Sequence, residues 1–380
     1  MFESFIDFVK NLYSQKKVIA LHEPYFCDEE RKYLEEAIQS TYVSSIGPHI
    51  KLFEERIAKY TGIKHAIATV NGTSALHAAL LALDINNEHE VLTQSLNFVA
   101  GCNAIKYCGA SPVFIDIEKK TLGMDPQKLQ DFLYENAELV NGKTINKMTS
   151  KEIRACIPMH TFGIPSQIDQ ISEICKEWGI YLIEDAAEAL GSFRNEKHVG
   201  NFSDISILSF NGNKIITTGG GGIILTESDH HEEKIRHMTT TAKQNHEWEF
   251  YHDIVGYNYR MPNINAALGL GQLDNLGKKI TSKKEIYLSY KEWSNENGSI
   301  LFTHDEECQP NYWLNSLFLK NKEEKIKFLS ITNENGVATR PAWTPMHFLP
   351  AFRSCQYTDL IETEKVYDCL VSIPSSPIAG

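Results

Sequence analysis

Three groups of residues in this chain carry the types and spacing needed for chemistry on a carbonyl group. The first centres on Lys214. It follows the apolar run Ile205, Ile207, Leu208, Phe210 and the dipeptide Asn211-Gly212, which suits a tight turn. Four glycines, Gly219–Gly222, come next, and a second apolar run spans Gly222–Leu225. A lysine held on a turn between two buried strands faces a site rather than bulk water. Desolvation there favours the neutral amine that attacks a carbonyl carbon. A lone lysine in a hairpin loop would sooner read as a surface residue, and the upstream groups overturn that reading. The second is Asp185, which closes the apolar run Ile180–Ile183 where an unpaired carboxylate is costly. The third is the small-residue turn Asn71-Gly72-Thr73-Ser74, between a short strand at His65–Thr69 and the apolar helix ALHAALLALDI. Thr73 or Ser74 can cap that helix, and its free N–H groups form an anion site.

Asp185 is either a capped structural acid or the partner of a cationic ring nitrogen, as pyridoxal phosphate requires to act as an electron sink. Phe98 could stack on such a ring, and Ser209, five residues before Lys214, could donate to a phosphate. His160, at a strand end, reads as a supporting group rather than a catalyst. Two patterns are set aside. The run Gly219–Gly222 lacks the Lys-Ser/Thr of a P-loop and reads as a close backbone approach near a ligand. His230-His231 lies among acidic residues and reads as surface, so no metal site is expected.

The elements that must position these residues alternate. Strands are expected at 65–69, 90–93, 112–117, 154–159, 180–183, 205–210 and 222–225, with helices at 98–107 and 167–178 and a polar exposed loop at 141–151. This pattern implies an α/β fold, a mostly parallel sheet with helices on both faces. In such sheets ligands sit beyond the C-terminal strand ends, where Thr73, Phe98, His160, Asp185 and Lys214 all fall. Past residue 245 the texture changes. Helices at 263–276, 278–296 and 322–333 with strands at 312–319 and 336–339 indicate a smaller α+β domain. The expected division is a helical extension over 1–20, a large cofactor-binding domain over 21–250 and a small domain over 251–380.

With 380 residues, 42% of them hydrophobic and 23% charged, the chain is globular in composition. A net charge of −12 argues against nucleic-acid binding. Eight scattered cysteines without C-x-x-C spacing read as buried thiols in a reducing cytoplasm. Phe2, Phe5, Ile6, Phe8, Val9 and Leu12 form the apolar face of a docking helix, and the absence of a basic start makes it no signal peptide. No apolar run reaches the ~18 residues of a membrane span. A soluble protein is expected.

The motifs NGTSALHAALLAL, SLNFVAGCNAI, GASPVFIDI, PMHTFGIP, LIEDAAEALGS, LSFNGNK with TTGGGG, and VGYNYRMPNINAALG follow one another along the chain. In that order they resemble the DegT/DnrJ/EryC1/StrS group of sugar aminotransferases, from about residue 20 to the C-terminus. The resemblance implies the pyridoxal-phosphate fold type I, with a large domain around a mostly parallel seven-stranded sheet. It implies that Lys214 bonds the cofactor, Asp185 pairs with the ring nitrogen and Phe98 stacks on the ring. Gly72, Thr73, Ser74 and Ser209 would hold the phosphate, and Asn258 would reach the phosphate of a neighbouring subunit, which requires a homodimer. Glu188 stands where many members carry Gln or His and would contact the ring's 3-oxygen side. Arg260 and Arg340 are candidates for the acidic donor or a diphosphate, with His347 and His160 also near the substrate.

The segments LHEP at 21–24, TTTAK at 239–243 and Ile373-Pro374-Ser375-Ser376 resemble the legionaminic-acid-pathway branch in particular. That branch implies amination at C4 of a UDP-linked 4-keto-6-deoxy-N-acetylhexosamine for surface polysaccharide, with L-glutamate as donor and ping-pong kinetics. The alternatives are a dTDP- or GDP-linked keto sugar, a sugar 3-dehydratase, or a non-catalytic sensor on the same scaffold. Lys214 argues against the dehydratase, whose lysine position is His. Lys214 and Asp185 together argue against the sensor. An NAD-dependent oxidoreductase would need an early G-x-G-x-x-G turn, which is not found.

Overall fold

The computed structural model describes residues 2–304 and 306–378. Its large sheet is built on seven strands: β1 (His65–Thr69), β2 (His89–Gln94), β3 (Ser111–Ile115), β4 (Glu152–Ile157), β5 (Tyr181–Asp185), β6 (Ile205–Ser209) and β7 (Gly222–Thr226). Their spatial order is β1-β7-β6-β5-β4-β2-β3. Pairing is parallel from β6 through β5, β4 and β2 to β3; it is antiparallel where β7 meets β1 and β6, and where the strand Lys143–Asn146 meets β4 at Glu152. Two antiparallel contacts through β7 leave β1 running the same way as β6. The ends that carry Gly72, Phe98, Asp185 and Lys214 therefore emerge along one edge, where crossover topology leaves room for a ligand.

Side-chain alternation explains the helices on both faces. Val91, Ala155, Ile157, Ile183 and Ile207 point into a core with Leu76, Ala79 and Leu80 of the helix Gly72–Ala82 and Ile105 of the helix Val99–Tyr107. Their neighbours Leu92, Cys156 and Leu182 point the other way, onto the helices Pro126–Asn136 and Ile168–Glu177. A second, antiparallel sheet of Ile300–Leu301, Asn315–Phe318, Leu370–Ile373 and Arg340–Pro341 forms the smaller unit.

Three expectations change. Residues 141–151 are not all loop: Ala137–Val140 pairs with Lys143–Asn146 around Asn141-Gly142. Both turn residues have positive φ (53° and 77°), the geometry that an Asn-Gly dipeptide supplies in a two-residue hairpin. The strand placed at 336–339 lies instead at Arg340–Pro341, where the backbone meets Val371 and Ser372. Packing also cuts across the division at residue 251. The helix Asn263–Asp274 inserts Ala266 and Leu270 beside Phe53, Ile57 and Phe210 of the large unit. The first helix, Phe2–Leu12, docks through its apolar face: Phe5 and Val9 pack with Tyr290, Trp293 and Phe328 of the small unit. Both follow from apolar faces that nothing nearer in sequence covers. Among the described residues, no helix is long and apolar enough to cross a membrane.

Candidate active site

The loop between β6 and β7 runs from Phe210 to Gly221, and its ends are closed by the pairing of Ser209 with Gly222. The turn forms on Asn211: the Lys214 N–H donates to the Asn211 carbonyl at 3.0 Å. Lys214 enters a pocket of about 260 Å³, whose walls include Gly72, Thr73, Phe98, Asp185, Glu188 and Ser209. Six residues singled out in the sequence thus converge with the lysine.

The anion cradle is made by close packing. A Cβ on Gly222 would lie 2.7 Å from the carbonyl carbon of Asn71 and 2.8 Å from the Gly72 nitrogen. Glycine here lets β7 lie against the turn, which is the backbone approach read from the four-glycine run. A Cβ on Gly72 would lie 3.0 Å from Ser209 Cβ and 3.1 Å from its Oγ, so glycine keeps the cradle open. The cap differs from the expectation. Asn71, rather than Thr73 or Ser74, caps the helix by accepting the Ser74 N–H on Oδ1 at 2.8 Å. That commits the Ser74 amide and leaves the first-turn amides of Gly72 and Thr73 at the pocket wall, where a helix N-terminus favours negative charge.

Asp185 is buried at the end of β5 and accepts the Ala187 N–H on Oδ1 at 3.1 Å. Burial pushes its carboxyl up, against the pull of that N–H, Lys214 and His160. Its neighbour Glu184 shows the opposite balance. Burial pushes it up too, but His160 and the N–H groups of Gly200 and Phe202 outweigh it and hold it below the ordinary value. Asp185 is the carboxylate of the two that lacks compensation, and a cationic ring nitrogen would provide it.

The lysine is not solitary. Its Nζ lies 3.1 Å from Glu188 Oε1 and 4.4 Å from the centre of the Trp313 ring. Desolvation alone suggested a bare amine; the structure gives it an anionic partner. The Trp313 indole donates to the Asn213 carbonyl at 2.7 Å and so fixes the lysine loop. Trp343 packs against Phe98 and Phe162, with ring centres 6.3 and 5.0 Å away. Sequence reasoning missed Asn71, Trp313 and Trp343. Asn71 precedes a helix and could have been read as its cap, whereas the tryptophans come from the small unit with no local signal.

Six candidates lie off the pocket in the single chain, Ser74 with its amide taken by Asn71 being one. The His160 ring bonds Glu184 at 3.0 Å and accepts the Ser166 N–H at 3.1 Å, while its backbone N–H donates to the Asp185 carbonyl. These bonds tie it to the strand end, on the side to which Glu184 alternates, opposite Asp185. The Arg340 guanidinium is bound to Asn333 and the Thr339 carbonyl. His347 bonds Ser95 Oγ at 2.8 Å and Glu364 Oε1 at 3.2 Å. Arg260 lines a separate cavity with Arg236 and Lys243, and Asn258 is exposed.

An amine, a buried uncompensated carboxylate, a stacking ring and an anion cradle in one pocket fit pyridoxal phosphate. The model of the DegT/DnrJ/EryC1/StrS aminotransferase family matches residues 24–379. The chain belongs to this family. A GDP-perosamine synthase of Escherichia coli O157:H7 is 36% identical over 338 residues, which is 88% of this chain and 87% of that protein. One of Vibrio cholerae is 36% identical over 342 residues, with the same coverage. Among solved structures, Helicobacter pylori PseC, an aminotransferase of pseudoaminic acid biosynthesis, superposes with a TM-score of 0.84 at 24% identity, covering 94% of each chain. The fold is that of these aminotransferases, and the cofactor of this aminotransferase is pyridoxal phosphate.

Proposed function

We propose that this aminotransferase moves an amino group from L-glutamate to the C4 keto carbon of a nucleoside-diphosphate-linked 4-keto-6-deoxy sugar. The observation that carries this reading is the convergence of Lys214, Asp185 and the Gly72–Thr73–Ser209 cradle on one pocket. Bound pyridoxal phosphate supplies an electron sink for the carbon that gains or loses the amine. Gly72, Thr73 and Ser209 bind the phosphate, Phe98 covers the ring, and Asp185 keeps the ring nitrogen protonated. Lys214 holds the cofactor's aldehyde carbon at rest. With the cofactor bound, the Lys214 amine would serve as the group that moves the proton at the donor's α-carbon.

For the nucleotide, two readings have separate support. The relatives called GDP-perosamine synthase favour a guanosine diphosphate sugar. The segments at 21–24, 239–243 and 373–376 favour a UDP-linked N-acetylhexosamine. We take the GDP-linked sugar as the first substrate to test, because it rests on similarity along most of the chain. A homodimer completes the site. An exposed apolar strap supports it, with Trp248 73%, Phe250 80% and Val255 81% accessible, a few residues before Asn258. Arg260 stays a candidate for an anionic group brought across that contact. Buried thiols at Cys102, Cys156 and Cys175 suit the cytoplasm.

The test is a panel of GDP-, UDP- and dTDP-linked 4-keto-6-deoxy sugars with L-glutamate, read as amino-sugar product by mass spectrometry. Turnover of one nucleotide class identifies the acceptor. No product from any of them would refute the nucleotide-sugar reading.

A further inference from the structure

Glu188 is a buried carboxylate with 3% of its surface exposed, in the wall that faces the reactive amine. Its two oxygens are assigned to different partners: Oε2 accepts the Phe162 N–H at 2.9 Å and Oε1 meets Lys214 Nζ at 3.1 Å. The backbone holds it from the other side, since the Asn311 side chain donates to the Glu188 carbonyl at 2.8 Å. A neutral Gln has one acceptor oxygen for these two donors, so it could keep one of the side-chain hydrogen bonds but not both. What Glu adds is a negative charge fixed at the lysine nitrogen.

We propose that Glu188 is the permanent counter-ion of the Lys214 nitrogen, holding it as a cation both as the free ammonium and after it is joined to the cofactor's aldehyde carbon. This deepens the proposed function and rests on Lys214 being the attachment site. Attachment balances without an outside proton acceptor. The nitrogen enters as –NH₃⁺, a C–N bond forms, and the aldehyde oxygen leaves as water with two of the three hydrogens. The nitrogen keeps one hydrogen and its charge, still opposite Glu188. A cationic nitrogen withdraws electrons from that carbon and keeps it open to attack by the donor's amine. Nothing is oxidised or reduced.

The charged groups around this pair come from each wall. Asp185 from β5 adds negative charge at Glu188, Lys214 from the β6–β7 loop supplies the positive charge, and His22 from the N-terminal segment lies within electrostatic reach of the lysine. The 161–163 turn contributes only the Phe162 N–H, and the 311–313 segment the Asn311 amide and the Trp313 ring. Lys214 is therefore the positive charge in contact with Glu188. Burial raises the Glu188 carboxyl, and the lysine pulls it back.

The measurement is a pH titration of the visible absorbance of the lysine-linked cofactor in the full-length protein and in Glu188→Gln and Glu188→His, which remove the carboxylate. An opposite charge at this range favours the cation by about 1–3 pH units. Both variants should bind pyridoxal phosphate with the spectral midpoint moved down by at least about one unit, and Glu188→Asp should recover part of the shift. An unchanged midpoint in whichever of Gln or His folds would overturn the proposal. Failure of the underlying reading looks different: borohydride reduction of the wild type would then leave the label somewhere other than Lys214.

Discussion

At the scale of single residues, two buried carboxylates flank one lysine, and they do different work. Among the described residues Asp185 has no cation in contact, and Glu188 has one. The sign of the Asp185 effect follows from burial, which raises its carboxyl in the folded protein. The unfolded chain ionises it at lower pH. Any stability it contributes is present below the ordinary carboxyl range and is lost as pH rises through the folded value. Cofactor-free Asp185→Asn should therefore melt higher than the wild type at neutral pH and differ little in acid, at about 2–4 °C per kcal/mol removed. With pyridoxal phosphate the order should invert, and activity should fall about 10²–10³-fold, the scale of one lost electrostatic partner. Thermal melts with and without cofactor read both signs, and a destabilised cofactor-free variant would contradict the account. Lys214 and Asp185 were legible in the sequence because each sits next to an apolar run that fixes its depth. Trp313 and Trp343 were not. Their place depends on how the small unit docks, and single large aromatics look alike in a core and at a pocket mouth.

At the scale of elements, the site depends on how closely β7 approaches the turn before the helix Gly72–Ala82. Alanine at Gly222 would place Cβ 2.7 Å from the Asn71 carbonyl carbon and must push the turn away. A backbone atom cannot step aside as a flexible side chain would, so a cost of about 1–3 kcal/mol is expected, with cofactor affinity falling as well. Gly72→Ala would meet Ser209 Cβ at 3.0 Å and Oγ at 3.1 Å, a milder overlap than at Gly222, so it should lose phosphate affinity with a smaller drop in melting temperature. Equilibrium titration with pyridoxal phosphate beside thermal melts separates the two; equal losses in both variants would contradict the cradle. The strand–turn–helix order here was legible from apolar runs broken by small residues. The Asn71 cap, the Asn141-Gly142 hairpin and the short edge strand at Arg340–Pro341 were less so. Each is decided by a few side-chain or backbone bonds rather than by periodicity.

At the scale of the whole molecule, one chain supplies most of the pocket and leaves an apolar strap uncovered. Trp248, Phe250 and Val255 are mostly exposed, and Asn258 follows them on the surface, away from the Lys214 pocket of its own chain. If a partner covers the strap, Asn258 serves the partner's site. Lys214→Ala and Asn258→Ala should then complement when mixed and reannealed. About half the dimers would be mixed, each with one intact site, giving about a quarter of wild-type activity. Recovery no better than the average of the two parents would place both residues in the same subunit's site. The parallel crossovers followed from alternating strands and helices, while the order of the strands in the sheet did not. The grouping of units did not, because the first helix and the helix Asn263–Asp274 each pack on elements far away in sequence.

The most direct test of the central claim is the visible spectrum of the protein loaded with pyridoxal phosphate, recorded as L-glutamate and then a GDP-linked 4-keto-6-deoxy sugar are added. The account expects a band that borohydride traps on Lys214, its loss with glutamate, and its return with the keto sugar. A protein that binds no chromophore at Lys214, or a band that no amino donor changes, would contradict it.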